Sequence, residues 1–520
     1  MSKATYTYVS QRGNSFLSRG YYETGERFDR KDGFSPVLFT NAGRGSTPWK
    51  DIHGAPVYEQ EFDNVAAARE WMEQYSGVDG FTISGMSAWV SQFMAHQYGG
   101  ELHSIMQHTR GAFIDIETTV DGSFPAPERA DQEILLITWF DTVTKQYRVY
   151  ASRDFDKTLW AENERFQRMV EKGMISLNQI KPVICRDEYH MLKQFVMDWA
   201  TYHPDYITGW NTEFFDIPYL VNRISRVIGE EFAANLSPWK KLRVRTLKRN
   251  DEEVQTYVID GVSGLDFMAL MRKFTYGERA SWKLGNVAED ELGETKLELE
   301  GSFQDQYTSQ WNNFVLYNVI DVLLVERLEQ KMKLIELAYT VAYMAHINPD
   351  EVFSPIRTWD SIIYHHLNAQ HVVVPFQKRQ SLERQIAGGY VKDPQIGKHK
   401  WAISLDYASL YPHLMMWGNI SPDRIQSIPF CTPTVDGILD RKYDLSGLKE
   451  LNVAMLANGQ TFSRHEDGFV PALIEGYYSL RKTAKKEMLA AEQEYINTND
   501  PALPQKIASL NAKQMAVKIL

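Results

Sequence analysis

Two acidic residues, Asp115 and Glu117, lie two positions apart in the strand-like run AFIDIETT. Because side chains alternate between the two faces of a strand, both carboxylates should lie on the same face. Like charges on one face repel each other unless a cation lies between them, and carboxylate oxygens favour Mg²⁺ or Mn²⁺. The pattern also arises by chance in a chain with 67 acidic residues among 520, so a solvent-facing strand edge is the ordinary alternative.

Three further residues have types that suit the same chemistry. Asp216 follows the run YITGWN and precedes Pro218, which is also the pattern of an ordinary helix start. Tyr317 and Asp321 are four residues apart, so they should lie on one face of a helix. The apolar runs VI and VLLV flank Asp321, where a carboxylate needs a partner or a metal.

These acidic groups together have the chemistry of a two-metal hydrolase. Two divalent ions would stabilise the attacking and leaving oxygens of a phosphodiester. The ligands predicted for these ions are the four carboxylates Asp115, Glu117, Asp216 and Asp321. Tyr317 is predicted to orient the attacking water.

A second candidate site lies in the run WAISLDYASLYP, which predicts a strand followed by a turn. Asp406 would end that strand, where its carboxylate can hold a metal. The backbone N–H groups of residues 407–410 could then meet a triphosphate. An ordinary strand that ends with an aspartate at a turn is the alternative. Farther along the chain, Arg481 and Lys485 share one face of a predicted helix, a pattern that is usually a solvated basic face.

A sheet and several helices must position these side chains. The runs AFIDIETT, EILLITWF and YRVYAS predict antiparallel neighbours in one sheet, and YITGWN predicts another strand. Helical spacing predicts helices at 64–75, 188–200, 218–223, 311–345, 474–496 and from about 503 onward. Residues 388–400 have the composition of a linker.

Three segments resemble the exonuclease motifs of family B DNA polymerases: DIETT, TGWNTEFFDIPYLVNRI and YNVID. Their sequences resemble most those of the DNA polymerases of T-even-type bacteriophages. The resemblance implies an RNase H-like 3′→5′ proofreading exonuclease that uses two Mg²⁺ or Mn²⁺ ions. It also implies that Asn211, within TGWN, lies near the DNA end.

The run around Asp406 resembles motif A of the same family, D-x-x-S-L-Y-P. The resemblance implies that Asp406 binds a metal in the polymerase site and that Tyr411 lies under the sugar of the incoming nucleotide. It implies that Arg481 and Lys485 grip the triphosphate, and that Lys518 begins motif B. No segment resembling motif C follows, so two ions are expected in the polymerase site only when a further part completes it.

Two basic segments are candidates for contacts with nucleic acid. Lys240–Arg249 holds six basic residues and no acidic one; it is either a solvated loop or, by the resemblance, a hairpin region that helps separate primer from template. The second segment, residues 378–400, holds six basic and two acidic residues. Within it, Gly388, Gly389 and Tyr390 resemble the family's Y-x-G-G region, which contacts the template strand. Both segments are consistent with phosphate contacts that position DNA without reading its sequence.

The resemblance implies a multidomain chain of the α/β and α+β classes, in which an RNase H-like exonuclease precedes an incomplete palm and fingers. The parts expected are an N-terminal domain at 1–105, the exonuclease at 106–334, a return to the N-terminal domain at 335–377, a partial palm with motif A at 378–465, and partial fingers at 466–520.

The function implied is that of the N-terminal portion of a phage replicative DNA polymerase. The implied partners are primer–template DNA, dNTP, a C-terminal half with motif C and the thumb, and replisome proteins such as a sliding clamp, in the cytoplasm of an infected bacterium. Two alternatives remain open: a stand-alone 3′→5′ DNA exonuclease, and a non-catalytic regulator that binds nucleic acid.

Composition excludes several other classes of protein. With 43% hydrophobic and 24% charged residues, the chain is too apolar to be disordered. Its net charge of −11 argues against a histone-like protein, although a local basic channel suffices for binding nucleic acid. Two cysteines, Cys185 and Cys431, exclude a disulfide framework. The start MSKATYTYVS has no apolar stretch typical of a signal peptide, and no membrane span is expected, so the predicted protein is soluble and intracellular.

Overall fold

The computed structural model describes residues 4–100, 102, 105–122, 125–249, 252–275, 279–376, 391–407, 409–426 and 430–520. The strands within these residues are β1 (Ala4–Arg12), β2 (Ser15–Tyr22), β3 (Arg27–Gly33), β4 (Val37–Thr40), β5 (Lys50–Asp51), β6 (Tyr58–Glu61), β7 (Ile83–Ser84), β8 (Gly111–Thr118), β9 (Ile134–Asp141), β10 (Gln146–Ala151), β11 (Ile180–Ile184), β12 (Tyr206–Thr208), β13 (Leu242–Arg249), β14 (Glu252–Ile259), β15 (Ser263–Gly264), β16 (Val372–Val373), β17 (Val453–Met455) and β18 (Thr461–Ser463).

The α-helices are α1 (Val65–Tyr75), α2 (Trp89–Tyr98), α3 (Glu164–Glu171), α4 (Glu188–Tyr202), α5 (Asp216–Val227), α6 (Glu230–Ala234), α7 (Phe267–Phe274), α8 (Leu284–Leu292), α9 (Phe303–Ser309), α10 (Trp311–Met332), α11 (Leu334–Ala345), α12 (Pro355–Asn368), α13 (Leu410–Gly418), α14 (Val435–Leu439), α15 (Gly447–Glu450), α16 (Phe469–Thr498) and α17 (Leu503–Ile519). Within the described part of the chain, no helix is both long enough and apolar enough to cross a membrane.

The chain divides into two compact units. The first contains Met1–Phe34, Ala88–Ile362 and Met488–Leu520, and the second contains Ser35–Ser87 and Ile363–Glu487. The five-part division drawn from the sequence stays a prediction.

A mixed six-stranded sheet forms the centre of the first unit, in the order β11-β10-β9-β8-β12-β15. The strands β8, β9 and β10 form an antiparallel meander, as their sequences predicted. On the other side of β8, the strands β12 and β15 run parallel to it. This order makes β8 an interior strand, paired on both edges.

Burial alternates along β8 because its two faces have different neighbours. Ile114 and Ile116 are at most 4% exposed, and they belong to a large apolar cluster with residues of α4 and α5. Asp115 and Glu117 therefore project from the opposite face, on the side of the sheet that α10 packs against. The sheet thus lies between two layers of helix, which keeps β8 rigidly placed.

Two further elements of the first unit border this sheet. β1, β2 and β3 form an antiparallel sheet, in which the backbone of Val9 exchanges hydrogen bonds with the amide of Asn348 at 2.8 and 2.9 Å. The basic segment Lys240–Arg249 contributes the strand β13, which pairs antiparallel with β14. The segment is therefore part of a hairpin and not a loop, while its role in separating primer from template stays a prediction.

The strand predicted before Asp406, in the second unit, does not form. Residues 402–407, expected to form a strand ending at Asp406, have no strand pairing. Trp401, Ile403 and Leu405 are 94%, 84% and 91% exposed, so their apolar side chains have no cover within the described residues. An apolar run forms a strand only beside a pairing neighbour and against a covering layer, and the described residues provide neither for this run.

Candidate metal centre

Three carboxylates from two elements meet on the α10 side of the sheet. β8 supplies Asp115 and Glu117, and α10 supplies Asp321. One donor oxygen from each of the three lies within 4.8 Å of the others. Asp321 is 3% exposed, as its apolar flanks predicted. The charge of the neighbouring Lys296 explains how this carboxylate can be buried. The solvent-facing strand edge, the alternative for Asp115 and Glu117, is therefore wrong.

Asp216 adjoins this group from a third element. It is the first residue of α5 and is 3% exposed. Its Oδ1 accepts a hydrogen bond from the backbone N–H of Ile116, at 3.1 Å, which ties it to β8 between the two acidic residues of that strand. Asp216 is therefore both a helix start and a neighbour of the metal-ligand candidates.

The carboxylates disfavour one another's charge. Burial raises the pKa of Asp115 well above its usual value, and the nearby charges of Asp216, Asp321 and Glu117 raise it further. Burial, with Asp321 next, raises the pKa of Glu117 to about 8. Burial likewise raises the pKa of Asp216 to about 7. Mutual repulsion of this kind is the electrostatic character of a site that binds cations.

Lys296 already brings one positive charge into the group. Its Nζ contacts Oδ2 of Asp321 closely and donates to the hydroxyl of Tyr317 at 3.0 Å. Sequence reasoning missed this residue because it lies in a coil between the motifs and no periodicity marks it. Only the fold shows that it reaches α10.

Asn318 is a second residue that sequence reasoning missed. It is fully buried on α10, and its Nδ2 donates to Oδ2 of Asp115 at 2.6 Å. A cue in the sequence was the position of this polar residue, directly after Tyr317 and before the apolar residues Val319 and Ile320.

The donor set fits a hard divalent cation such as Mg²⁺ or Mn²⁺. All its ligands are carboxylate oxygens, which these ions prefer. Oδ1 of Asp321 is buried and has no hydrogen-bond partner among the described residues. The Lys296 ammonium stands beside the same carboxylate, which shows that the group accommodates positive charge.

Asn211 lies in the loop between β12 and α5, with a left-handed φ of 65°. The same loop is held by Asp266, whose Oδ2 accepts the backbone N–H of Glu213 at 3.0 Å. Oδ1 of Asn211 is buried without a hydrogen-bond partner in the part of the chain that the structure describes. The loop is thus fixed beside Asp216 while one Asn211 acceptor remains available.

The predicted polymerase-site residues that the structure describes lie in several separate segments of the chain. Asp406 and Tyr411 are exposed, the latter at 77%, and Asp406 belongs to no cluster of metal-ligating side chains among the described residues. Arg481 and Lys485 lie on α16, and Lys518 lies in the last turn of α17. The predicted template contacts Gly388, Gly389 and Tyr390 lie outside the described residues.

Comparison with family models identifies both regions. A model of the DNA polymerase family B exonuclease domain matches residues 95–287, which include Asp115, Glu117 and Asp216. A model of DNA polymerase family B matches residues 357–520, which include Asp406. The mixed sheet is accordingly the core of an RNase H-like exonuclease domain.

Individual relatives agree with the family models. The chain is 30% identical over 505 residues to the DNA-directed DNA polymerase of Escherichia phage RB69, covering 94% of this chain and 55% of that protein. It is 28% identical over 500 residues to the DNA-directed DNA polymerase of Enterobacteria phage T4, covering 94% and 54%. The DNA polymerase delta catalytic subunit of Glycine max is 24% identical over 388 residues, covering 70% and 33%.

The chain therefore spans about half the length of the phage relatives it matches. Matches to both an exonuclease-domain model and a polymerase model, together with phage relatives aligned over nearly the whole chain, lead to one assignment. The chain belongs to the family B DNA polymerases.

Proposed function

We propose that the region around β8 and α10 is a 3′→5′ DNA exonuclease that hydrolyses phosphodiesters with two divalent cations. The observation that carries this proposal is the gathering of Asp115, Glu117 and Asp321, with donor oxygens within 4.8 Å. The exonuclease-domain match supports the reaction class, and the names of the relatives support DNA as the substrate.

Each residue has a role that follows from its position. Two divalent cations, when bound, would supply the positive charge that stabilises the attacking and leaving oxygens. The four carboxylates Asp115, Glu117, Asp216 and Asp321 would hold them. Tyr317 orients the attacking water through a hydroxyl that Lys296 fixes at 3.0 Å. Asn211, with its free acceptor, contacts the end of the DNA strand.

The exonuclease proposal can be tested with the purified 520-residue chain and a 5′-labelled single-stranded oligonucleotide. We expect stepwise shortening that requires Mg²⁺ or Mn²⁺ and is lost in the double variant Asp115→Ala/Glu117→Ala. A matched control is Glu59→Ala/Glu61→Ala, which removes two acidic residues at the same spacing from the exposed face of β6. Undiminished cleavage by the first variant would refute the site assignment.

We propose further that the chain carries part of a polymerase site. Asp406 would hold a metal, Tyr411 would lie under the nucleotide sugar, and Arg481, Lys485 and Lys518 would bind the triphosphate. Primer–template DNA and dNTP would be the substrates, with template contacts from Gly388, Gly389 and Tyr390. The match to a family B polymerase model supports this reading.

Synthesis would require a further polypeptide that carries motif C and the thumb. Its support is that the described residues between 401 and 417 expose large apolar side chains. Exposed apolar patches of this kind mark surfaces that bind a partner. The proposal includes a sliding clamp as a further partner and the cytoplasm of the infected host as the place of DNA synthesis.

Co-expression with a segment of a phage relative that follows the matched region tests this second proposal. We expect a stable 1:1 complex on gel filtration that extends primers, and Asp406→Ala should abolish extension while cleavage persists. Failure to form a complex, with cleavage by the chain alone, would favour a stand-alone exonuclease. The gathering of Asp115, Glu117 and Asp321 is the observation that favours that alternative.

A further inference from the structure

The amide of Asn318 is the least expected polar group near the carboxylates. It lies on α10 beside Tyr317, three residues before Asp321, and its side chain is fully buried. The residues that follow it, Val319 and Ile320, are equally buried and apolar. A buried amide in such surroundings loses its hydration, so a specific hydrogen-bond partner must compensate.

That partner is a ligand candidate rather than another structural group. Nδ2 of Asn318 donates to Oδ2 of Asp115 at 2.6 Å, across 203 residues of sequence. The Oδ1 atom of the same amide is buried without a hydrogen-bond partner among the described residues. The amide thus contacts the carboxylates of β8, since it donates to Asp115 and its side chain is also hydrogen-bonded with Glu117.

We propose that Asn318 is a positioning residue that fixes the orientation of the Asp115 carboxylate for cation binding. This inference rests on the proposed exonuclease function. The terminal torsion of an aspartate has a broad, shallow energy profile, so a carboxylate without a donor samples many orientations. A hydrogen bond to Oδ2 selects one orientation and leaves Oδ1 of Asp115 for the cation.

The chemistry of the amide suits this task better than that of Lys296. An ammonium pairs with a carboxylate through its charge and competes with a cation for it. A neutral amide donates a hydrogen bond and leaves the negative charge of Asp115 available. Outer hydrogen-bond partners of metal ligands typically affect metal affinity by about 10- to 100-fold when they are replaced.

The test compares two variants with a control on the same helix. Asn318→Ala removes the donor and leaves a small void, whereas Asn318→Leu removes the donor and keeps a similar volume. Asn312→Ala is the matched control, since Asn312 also lies on α10 but accepts a hydrogen bond from the backbone of Asp156 at 3.1 Å. Two variants keep the test decisive if one of them fails to fold.

Binding of Mn²⁺ to the full chain is measured directly by electron paramagnetic resonance, without DNA. We expect both Asn318 variants to weaken Mn²⁺ binding by about tenfold or more, and Asn312→Ala to leave it unchanged. The Mg²⁺ concentration for half-maximal cleavage should shift by a similar factor, while thermal unfolding shows that the variants remain folded.

The outcomes separate the two proposals. Absence of Mn²⁺ binding and cleavage in the unmodified chain would overturn the exonuclease function itself. Binding and cleavage by the unmodified chain, with Mn²⁺ affinity within about twofold in folded Asn318 variants, would overturn only the positioning role. Reduced cleavage at unchanged Mn²⁺ affinity would also overturn it, because the orientation of Asp115 would then not limit cation binding.

Discussion

Asp115 and Asp406 both follow apolar residues in strand-like runs, yet their surroundings differ completely. Asp115 lies on an interior strand, and its neighbours Ile114 and Ile116 are at most 4% exposed. The residues on either side of Asp406, Leu405 and Tyr407, are 91% and 78% exposed. The same residue type in a similar local pattern is thus part of a packed site in one region and is solvated in the other.

A buried carboxylate site depends on the layers of structure that pack behind it. β8 is paired on both edges and covered by helices on both faces, so its carboxylates have fixed neighbours. Residues 402–407 pair with no strand in the described part of the chain, and Asp406 joins no cluster of metal-ligating side chains there. Replacements in the two regions should therefore have very different consequences.

The largest contrast is expected for the two aspartates that are predicted to bind metal. Asp321→Asn keeps the shape of the side chain but removes a ligand charge, and it should lower DNA cleavage by about 10³-fold, equivalent to roughly 4 kcal/mol. Asp406→Asn should change cleavage by the same chain less than about twofold, since it lies outside the gathered carboxylates. Equal effects of both changes on the rate of single-strand cleavage would show that Asp321 is no more important for cleavage than Asp406.

A contrast in stability should accompany the contrast in activity. Ile116→Ala removes buried apolar volume behind the carboxylates and should lower the free energy of unfolding by about 2–5 kcal/mol. Leu405→Ala removes an exposed side chain and should change it by no more than about 0.5 kcal/mol. Urea denaturation followed by tryptophan fluorescence measures both values. A large loss for Leu405→Ala would mean that residues 401–407 are packed.

A smaller effect is expected for the tyrosine hydroxyl beside the carboxylates. Tyr317→Phe removes the hydroxyl that Lys296 contacts but keeps the ring, and it should lower cleavage by about 10- to 100-fold. Tyr307→Phe on α9 is the control, since it likewise removes one hydroxyl from a tyrosine that packs against Phe314. If the two variants cleave equally, Tyr317 has no role in orienting water.

Part of this structure was predictable because local patterns and tertiary packing agree. The alternation in β8 and the spacing of Tyr317 and Asp321 placed three carboxylates on the correct faces. Helices predicted at 188–200 and 474–496 occur as the slightly longer α4 and α16. In α4 the apolar periodicity matches the sheet that it packs against.

The rest depends on contacts between distant residues, which no local pattern records. Lys296 and Asn318 reach the carboxylates only because α10 and a coil fold against the sheet. The strand expected before Asp406 had the right composition, but a strand requires a pairing neighbour. Local sequence shows the capacity to form an element, whereas its partners decide whether the element forms.

The most direct test places both regions in one reaction. The purified chain is incubated with a 5′-labelled primer–template, Mg²⁺ and all four dNTPs, and product lengths are resolved on a denaturing gel. We expect only products shorter than the primer, because three exonuclease carboxylates are gathered and Asp406 belongs to no cluster of metal-ligating side chains among the described residues. Products longer than the primer that disappear with Asp406→Ala would contradict the account, since they would require a working polymerase site in this chain alone.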